Sequence, residues 1–206
     1  MAISIVDGAQ VQGGDHLADL LWETDPEIYR FMFRDLQVWR RLFPQEWTAA
    51  FGTSQAVETR VALDGNRVVG LINSFAGREV APRFVTTMGR LLAALDPDAG
   101  RQLTAAFDAM EWLYPHVPDD ALYILNLVVA ADMRGQDLGR RLIAEAVAKA
   151  RRSGLRAVHL DTAVGNPAVK FYHRVGFRAV VESRAMSLPE GVVVPNHFRM
   201  VLDIGA

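Results

Sequence analysis

Two short groups of residues have the types and spacing to do chemistry. In the first, Arg134-Gly135-Gln136-Asp137-Leu138-Gly139 follows an apolar run, Leu122 to Val129, and opens a stretch where Leu138, Leu142, Ile143, Ala146, Val147 and Ala150 recur at helical spacing. A helix starting there presents backbone N–H groups that have no partner inside it, and its positive end attracts anions. Arg134 adds charge, while Gly135 and Gly139 carry no side chain that would hold a phosphate off the backbone. Capture of a phosphate or diphosphate is the expected chemistry. In the second group, Asn166-Pro167 is a helix-start signal and Gly176 a matching stop, giving a helix of about two turns that carries Tyr172. Its phenol can donate a proton or pack beneath the helix. Asn166 can cap that helix or hydrogen-bond a ligand, and both roles stay open.

Positioning these groups requires a sheet. Leu122 to Val129 reads as a largely buried strand, the helix after it ends at Gly154, and Ala157 to Thr162 reads as a second strand parallel to the first. Val57 to Leu63 and Arg67 to Phe75 form a hairpin around Asp64-Gly65-Asn66. Ile3 to Val6 opens the chain as a strand. At the other end, Arg178 to Met186, a turn at Pro189-Glu190-Gly191, and His197 to Ile204 close it, the last strand pairing antiparallel at the sheet's end. Before the hairpin, His16 to Trp22 reads as a helix, and Thr24-Asp25-Pro26 starts a helical region that runs to Phe43, breaks at Pro44 and resumes to Phe51. Its aromatic residues, among them Trp22, Tyr29, Phe33, Trp39, Phe43 and Trp47, suit core packing or a cavity wall. From 77 to 120 the pattern predicts two helices, the second opened by Asp96-Pro97-Asp98. This insertion either covers one side of a cleft or meets a second copy of the chain in a homodimer.

The turn Arg134 to Gly139 resembles the acetyl-CoA diphosphate loop of the GNAT family of N-acetyltransferases, written Q/R-x-x-G-x-G/A, with Asp137 where the family has its middle glycine. Asn166 to Phe177 resembles that family's second signature, N-x-x-A-x-x-x-Y-x-x-x-G-F. The likeness covers roughly 122 to 181. It implies one α/β domain over 1–206, with a mixed, mostly antiparallel sheet, a central parallel strand pair and flanking helices. The cofactor-binding core would span about 122–182, with the helical insertion of about 77–120 ahead of the central strand. It further implies that acetyl-CoA is bound by the backbone of Leu127, Val128 and Val129, by Arg134, Gly135, Gln136, Asp137, Leu138, Gly139 and Arg140, and by Asn166. Tyr172 would then protonate the departing sulfur. The implied reaction is direct transfer of acetyl to a primary amine of a small molecule or peptide in a ternary complex; a non-catalytic acyl-CoA-binding module is the alternative.

Composition narrows the remainder. Without cysteine there is no disulfide, thiolate metal site or cysteine nucleophile, and with 22 basic against 24 acidic residues nothing favours nucleic acid or an anionic membrane. No apolar run reaches membrane length and the N-terminus lacks a leader pattern, so a cytoplasmic protein is expected. The fragment Gly52-Thr53-Ser54-Gln55-Ala56 lacks the second glycine of a nucleophile elbow. Glu111, His116, Asp161 and His197 are general-base candidates by type only. His159 and Asp161 share a strand face, but two residues make no metal site, and none is expected.

Overall fold

The computed structural model describes residues 3–12, 14–51, 59–186, 188, 190 and 192–205. The elbow-like fragment at 52–56, the first two residues of the expected hairpin, and Pro189 and Gly191 of the expected turn lie outside the described residues. In chain order the elements are β1 (Ser4–Asp7), α1 (Asp15–Trp22), α2 (Pro26–Phe33), α3 (Leu36–Phe51), β2 (Thr59–Asp64), β3 (Arg67–Ala76), α4 (Val80–Ala94), α5 (Pro97–Ala109), β4 (Ala121–Val129), α6 (Leu138–Arg152), β5 (Ala157–Ala163), α7 (Ala168–Arg174), β6 (Arg178–Ser183) and β7 (His197–Asp203). Seven strands form one sheet in the order β1-β2-β3-β4-β5-β7-β6. Every neighbouring pair is antiparallel except β4 and β5, which run parallel with α6 as the crossover between them.

Alternation along the strands divides the core into two faces. Ala62, Val69 and Ile72 join Leu122, Ile124 and the apolar stripe of α6, which is Leu138, Leu142, Ile143, Ala146 and Ala150. Their sequence neighbours Val61, Val68 and Leu71 point the other way and meet α1 to α3 through Leu17, Leu21, Phe33, Trp39 and Phe43. The aromatic residues of this second face stack in series from Trp22 through Tyr29, Trp39 and Phe43 to Trp47, with centroids 5.1 to 5.7 Å apart. Phe33, Trp39, Phe43 and Trp47 are core residues first.

The capping signals act as the sequence indicates. Asp25 accepts from the Ile28 N–H, and Asp96 accepts from the N–H groups of Asp98 and Ala99, each arrangement worth about 1 kcal/mol. Gly154 takes the left-handed conformation, with φ of 66°, at the end of α6. Two expectations are corrected. The helical break falls at Arg34 and Asp35: Arg34 has φ of 66°, and the Asp35 carboxylate accepts from the N–H groups of Gln37 and Val38, starting a new helix that continues through Pro44. Burial of Leu42, Phe43 and Trp47 around Pro44 offsets the lost bond and the crowding that proline brings to a helix interior. The last strand is also interior, because β7 pairs with β5 on one side and β6 on the other, leaving β6 at the edge.

Candidate acyl-transfer site

The site begins with a defect in the sheet. Asn73 pairs with Asn126 and Ser74 with Ile124, so Leu125 is an extra residue in β4, a bulge that is 52% exposed. Pairing of β4 with β5 runs only from Ala121 to Ile124 and stops at the same place. Beyond it, β5 continues beside β7 as far as Ala163, while β4 continues beside β3 as far as Val129. The two parallel strands therefore splay. Along the edge turned away from β3, the backbone of Leu125 to Val129 faces a gap rather than another strand.

The turn from β4 into α6 closes the wide end of that gap. Gly135 has φ of 79° and Asp137 φ of 62°, both left-handed, a conformation that costs other side chains roughly 1–2 kcal/mol but that aspartate tolerates. This backbone requirement explains why a glycine suits position 137. Among the described residues, no protein group accepts a hydrogen bond from the N–H groups of Gly135 to Arg140. Apart from Leu138 and the half-buried Gly139, the segment is exposed. Free donors, a helix start and open access coincide here, which is what an anion site requires.

Side chains in the turn are engaged locally. Arg140 Nε donates to Asp137 Oδ1 at 3.0 Å, so the carboxylate that replaces a glycine has its own counter-charge. Gln136 Nε2 donates to the Asp132 carbonyl at 3.1 Å, and Gln136 does not line the cleft. Arg134 Nε donates to the Val129 carbonyl at 3.0 Å and Nη2 to Glu23 at 3.2 Å. Leu138 is a core side chain whose contribution is its N–H alone, and Val128 is similarly buried. Gly139 has a packing reason to be glycine, since a Cβ there would stand 3.1 Å from the Phe171 ring.

Tyr172 lies across the gap on α7. Its ring is wedged between Phe171 and Phe177, with centroids 5.6 and 5.8 Å away, and among the described residues nothing hydrogen-bonds its hydroxyl. Burial pushes the phenol up to about 12, keeping it a donor. Asn166 Oδ1 accepts from the Ala168 N–H at 2.9 Å, so the capping role is realised, and Asn166 is also one of the residues lining the cleft.

A cleft of about 1660 Å³ joins this region to a second half walled by α2, α4 and the residues after α5. Two of its lining groups, Asp161 and His197, are engaged by protein partners. Asp161 is held by Arg199 Nε and Nη2 at 2.7 and 2.8 Å and by the Tyr123 hydroxyl at 2.9 Å. His197 Nδ1 faces the Pro195 carbonyl and its Nε2 faces Asp25 Oδ2 at 2.9 Å. Arg199 also donates to the carbonyls of Pro115 and His116, pinning the end of the insertion onto the sheet. Burial raises the phenols of Tyr29, to about 12, and of Tyr114 and Tyr123, and lowers the His159 imidazole. Of the four base candidates, Asp161 and His197 are thus engaged, His116 is exposed outside this cleft, and Glu111 is exposed at its rim. Sequence reasoning overlooked Glu23 and Tyr114 as lining residues; both enter through long-range folding that no local pattern signals. Among the described residues no cluster of three or more His, Cys, Asp or Glu could hold a metal, and no helix is long and apolar enough to cross a membrane.

The family model described as the acetyltransferase (GNAT) family matches residues 15–177, most of the chain. The chain belongs to the GNAT acetyltransferase family. Among curated proteins it is similar to the probable N-acetyltransferase camello of Xenopus laevis, 43% identical over 61 residues that make up 29% of this chain and 28% of camello. The chain therefore aligns with little more than a quarter of that relative. An N-acetyltransferase from Staphylococcus aureus Mu50 superposes with a TM-score of 0.61 at 16% identity, covering 98% of this chain and 100% of that one. A chain of the NatC complex bound to Gag peptide and CoA gives 0.54, also at 16% identity, over 98% and 99%. At that identity the likeness establishes the shared GNAT fold, a mixed α/β architecture with one open sheet and a central parallel strand pair.

Proposed function

We propose that the protein transfers an acetyl group from acetyl-CoA to a primary amine of a small molecule or peptide by direct attack within a ternary complex. The observation carrying this reading is the row of N–H groups from Gly135 to Arg140 that have no partner among the described residues, in a largely exposed turn at the mouth of the gap that the Leu125 bulge opens. A diphosphate on those groups would direct the pantetheine chain along the free edge of Leu127 to Val129, bringing the thioester beside Asn126. Membership in the GNAT family supports the same placement.

The residues divide the work by chemistry. The amine must attack unprotonated, having lost a proton if it binds as an ammonium; it forms the new C–N bond as the C–S bond breaks and gives up a further proton, while the sulfur gains one or leaves as a thiolate. Tyr172 is the donor aimed at that sulfur. With the phenol near 12 and an ordinary thiol near 8.5, full transfer would be uphill by roughly (12 − 8.5) × 1.36, about 5 kcal/mol. Its role is therefore to stabilise the developing thiolate with a short charge-assisted hydrogen bond, the final proton coming from solvent.

Calorimetric titration with acetyl-CoA tests the site. Wild type should bind, Arg134→Glu should weaken binding through its charge, and Gly135→Val should do so by forcing a β-branched residue into φ of 79°. Equal affinity in all three proteins would reject it. The engagement of His197, Asp25 and Asp161 by protein partners favours a second reading, a non-catalytic acyl-CoA-binding module. Thiol release measured across a panel of amines separates the two, because a binder gives saturable affinity without amine-dependent release of CoA.

A further inference from the structure

Arg134, the cation expected to meet the diphosphate, is held in this structure by a carboxylate from the other half of the cleft. Glu23 ends α1, 111 residues earlier in the chain, and its Oε2 accepts from Arg134 Nη2 at 3.2 Å. The guanidinium is also folded back by its Nε onto the Val129 carbonyl, on the strand edge proposed for pantetheine. Arg134 thus bridges the anion loop to the short connection between α1 and α2, and Glu23 lines the common cleft with Asn126, Leu127 and Tyr29.

We infer that Glu23 is the ligand for the acceptor's ammonium group, and that Arg134 masks it until the diphosphate of acetyl-CoA draws the guanidinium away. This rests on the acetyl-CoA reading above. The two side chains are 50 and 57% exposed, and such a solvated pair holds its partners by a factor of only roughly 1.4 to 5. A diphosphate at a helix start offers more charge and geometry suited to the planar guanidinium, so the exchange favours the cofactor. Once Arg134 has turned, Glu23 has no other cation among the described residues. Of the other carboxylates lining the cleft, Asp25 is tied to His197 and to the start of α2, Asp161 to Arg199, Glu46 to Arg90 and Asp137 to Arg140, while Glu27 and Glu111 are exposed and, among the described residues, make no ion pair with the anion turn. Leu21, Tyr29, Phe33 and Met133 give the lining that Glu23 shares an apolar part. The acceptor is accordingly a primary ammonium on an apolar stem, bound after acetyl-CoA.

The test titrates phenethylamine at pH 7 into cofactor-free and CoA-saturated protein by calorimetry, CoA replacing acetyl-CoA so that no turnover occurs. Wild type should bind the amine ~1.4- to 5-fold tighter with CoA present, the range set by the strength of the pair. Glu23→Gln should bind the amine at least about tenfold more weakly and lose the dependence on CoA, while binding CoA itself as well as or better than wild type. Arg134→Gln should bind the amine equally well with and without CoA. Equal amine affinity in wild type and Glu23→Gln, an affinity in wild type indifferent to CoA, or no saturable amine binding would each overturn the assignment. Failure of wild type to bind CoA would instead remove the cofactor reading beneath it.

Discussion

Replacing Tyr172 with phenylalanine separates two consequences of burying a phenol at the site. The ring is packed between Phe171 and Phe177 and nothing among the described residues bonds its hydroxyl, so Tyr172→Phe keeps the packing and leaves no orphaned partner. Burial moves the phenol from 10.0 to about 12 because the phenolate is the form it penalises. A group raised in the folded state stabilises it fully below the unfolded value and loses that contribution as pH climbs through the folded one. For Tyr172 the full difference is 2 × 1.36, about 2.7 kcal/mol, spread between pH 10 and 12, with about half, roughly 1.4 kcal/mol, gone by pH 11. The variant lacks this loss. Urea unfolding followed by circular dichroism should therefore give nearly equal stabilities for the two proteins at pH 8, with the variant ahead by roughly 1.4 kcal/mol at pH 11. The other tyrosines are common to both proteins and cancel in the difference.

The same substitution removes the donor proposed for the thiolate. A hydrogen bond to a charged group is worth roughly 1.5–3 kcal/mol, so turnover should fall about 10- to 150-fold while the affinity for acetyl-CoA stays within about twofold. Parallel stability curves at the two pH values would refute the burial argument. Turnover within about threefold of wild type would refute the donor role independently, because the first result concerns the environment of the hydroxyl and the second its task.

Three other changes probe the framework. Asp137→Gly removes a carboxylate near the anion site and frees Arg140, so CoA should bind ~2- to 5-fold tighter by calorimetry; relief at φ of 62° and the added freedom of the unfolded chain nearly cancel in stability, and weaker binding would contradict the site. Asp161→Asn leaves Arg199 uncompensated where both side chains are at most 3% exposed, and should cost roughly 3–5 kcal/mol in urea unfolding; a loss below about 1 kcal/mol would show the pair to be dispensable. Gly139→Ala sets a methyl 3.1 Å from the Phe171 ring, so the tightly packed ring must give way; a loss of roughly 1–3 kcal/mol with weaker CoA binding is expected, and an unchanged melting temperature would refute tight packing at this contact.

The sequence was most informative where the physics is local. Asp25, Asp96 and Asn166 each cap the helix beside them, Gly135 and Gly154 adopt the left-handed conformations their positions require, and the apolar stripe of α6 lies against the sheet. Pro44 misled because the cost it brings to a helix interior is offset by burial of Leu42, Phe43 and Trp47, which only the tertiary packing reveals. The Leu125 bulge carries no residue signature, since leucine is ordinary in a strand, and only the registers with β3 and β5 reveal it. Nor does the place of β7 between β5 and β6 follow from its alternation, which states that one face is buried without saying against which neighbours.

Physically, the two halves of the cleft differ in how they are specified. The half proposed for the cofactor is built from residues close in sequence: Leu125 to Val129, the turn to Arg140, and α7 soon after. The other half is held by pairs from distant parts of the chain, Glu23 with Arg134, Asp25 with His197 across 172 residues, and Arg199 with the carbonyls of Pro115 and His116. A substitution in the insertion or in the α1–α2 connection can reshape the half of the cleft proposed for the acceptor while leaving the amides of the turn in place. The reverse does not hold for Arg134, which touches both halves, so the residue proposed to serve the diphosphate would also set the charge that the proposed amine meets.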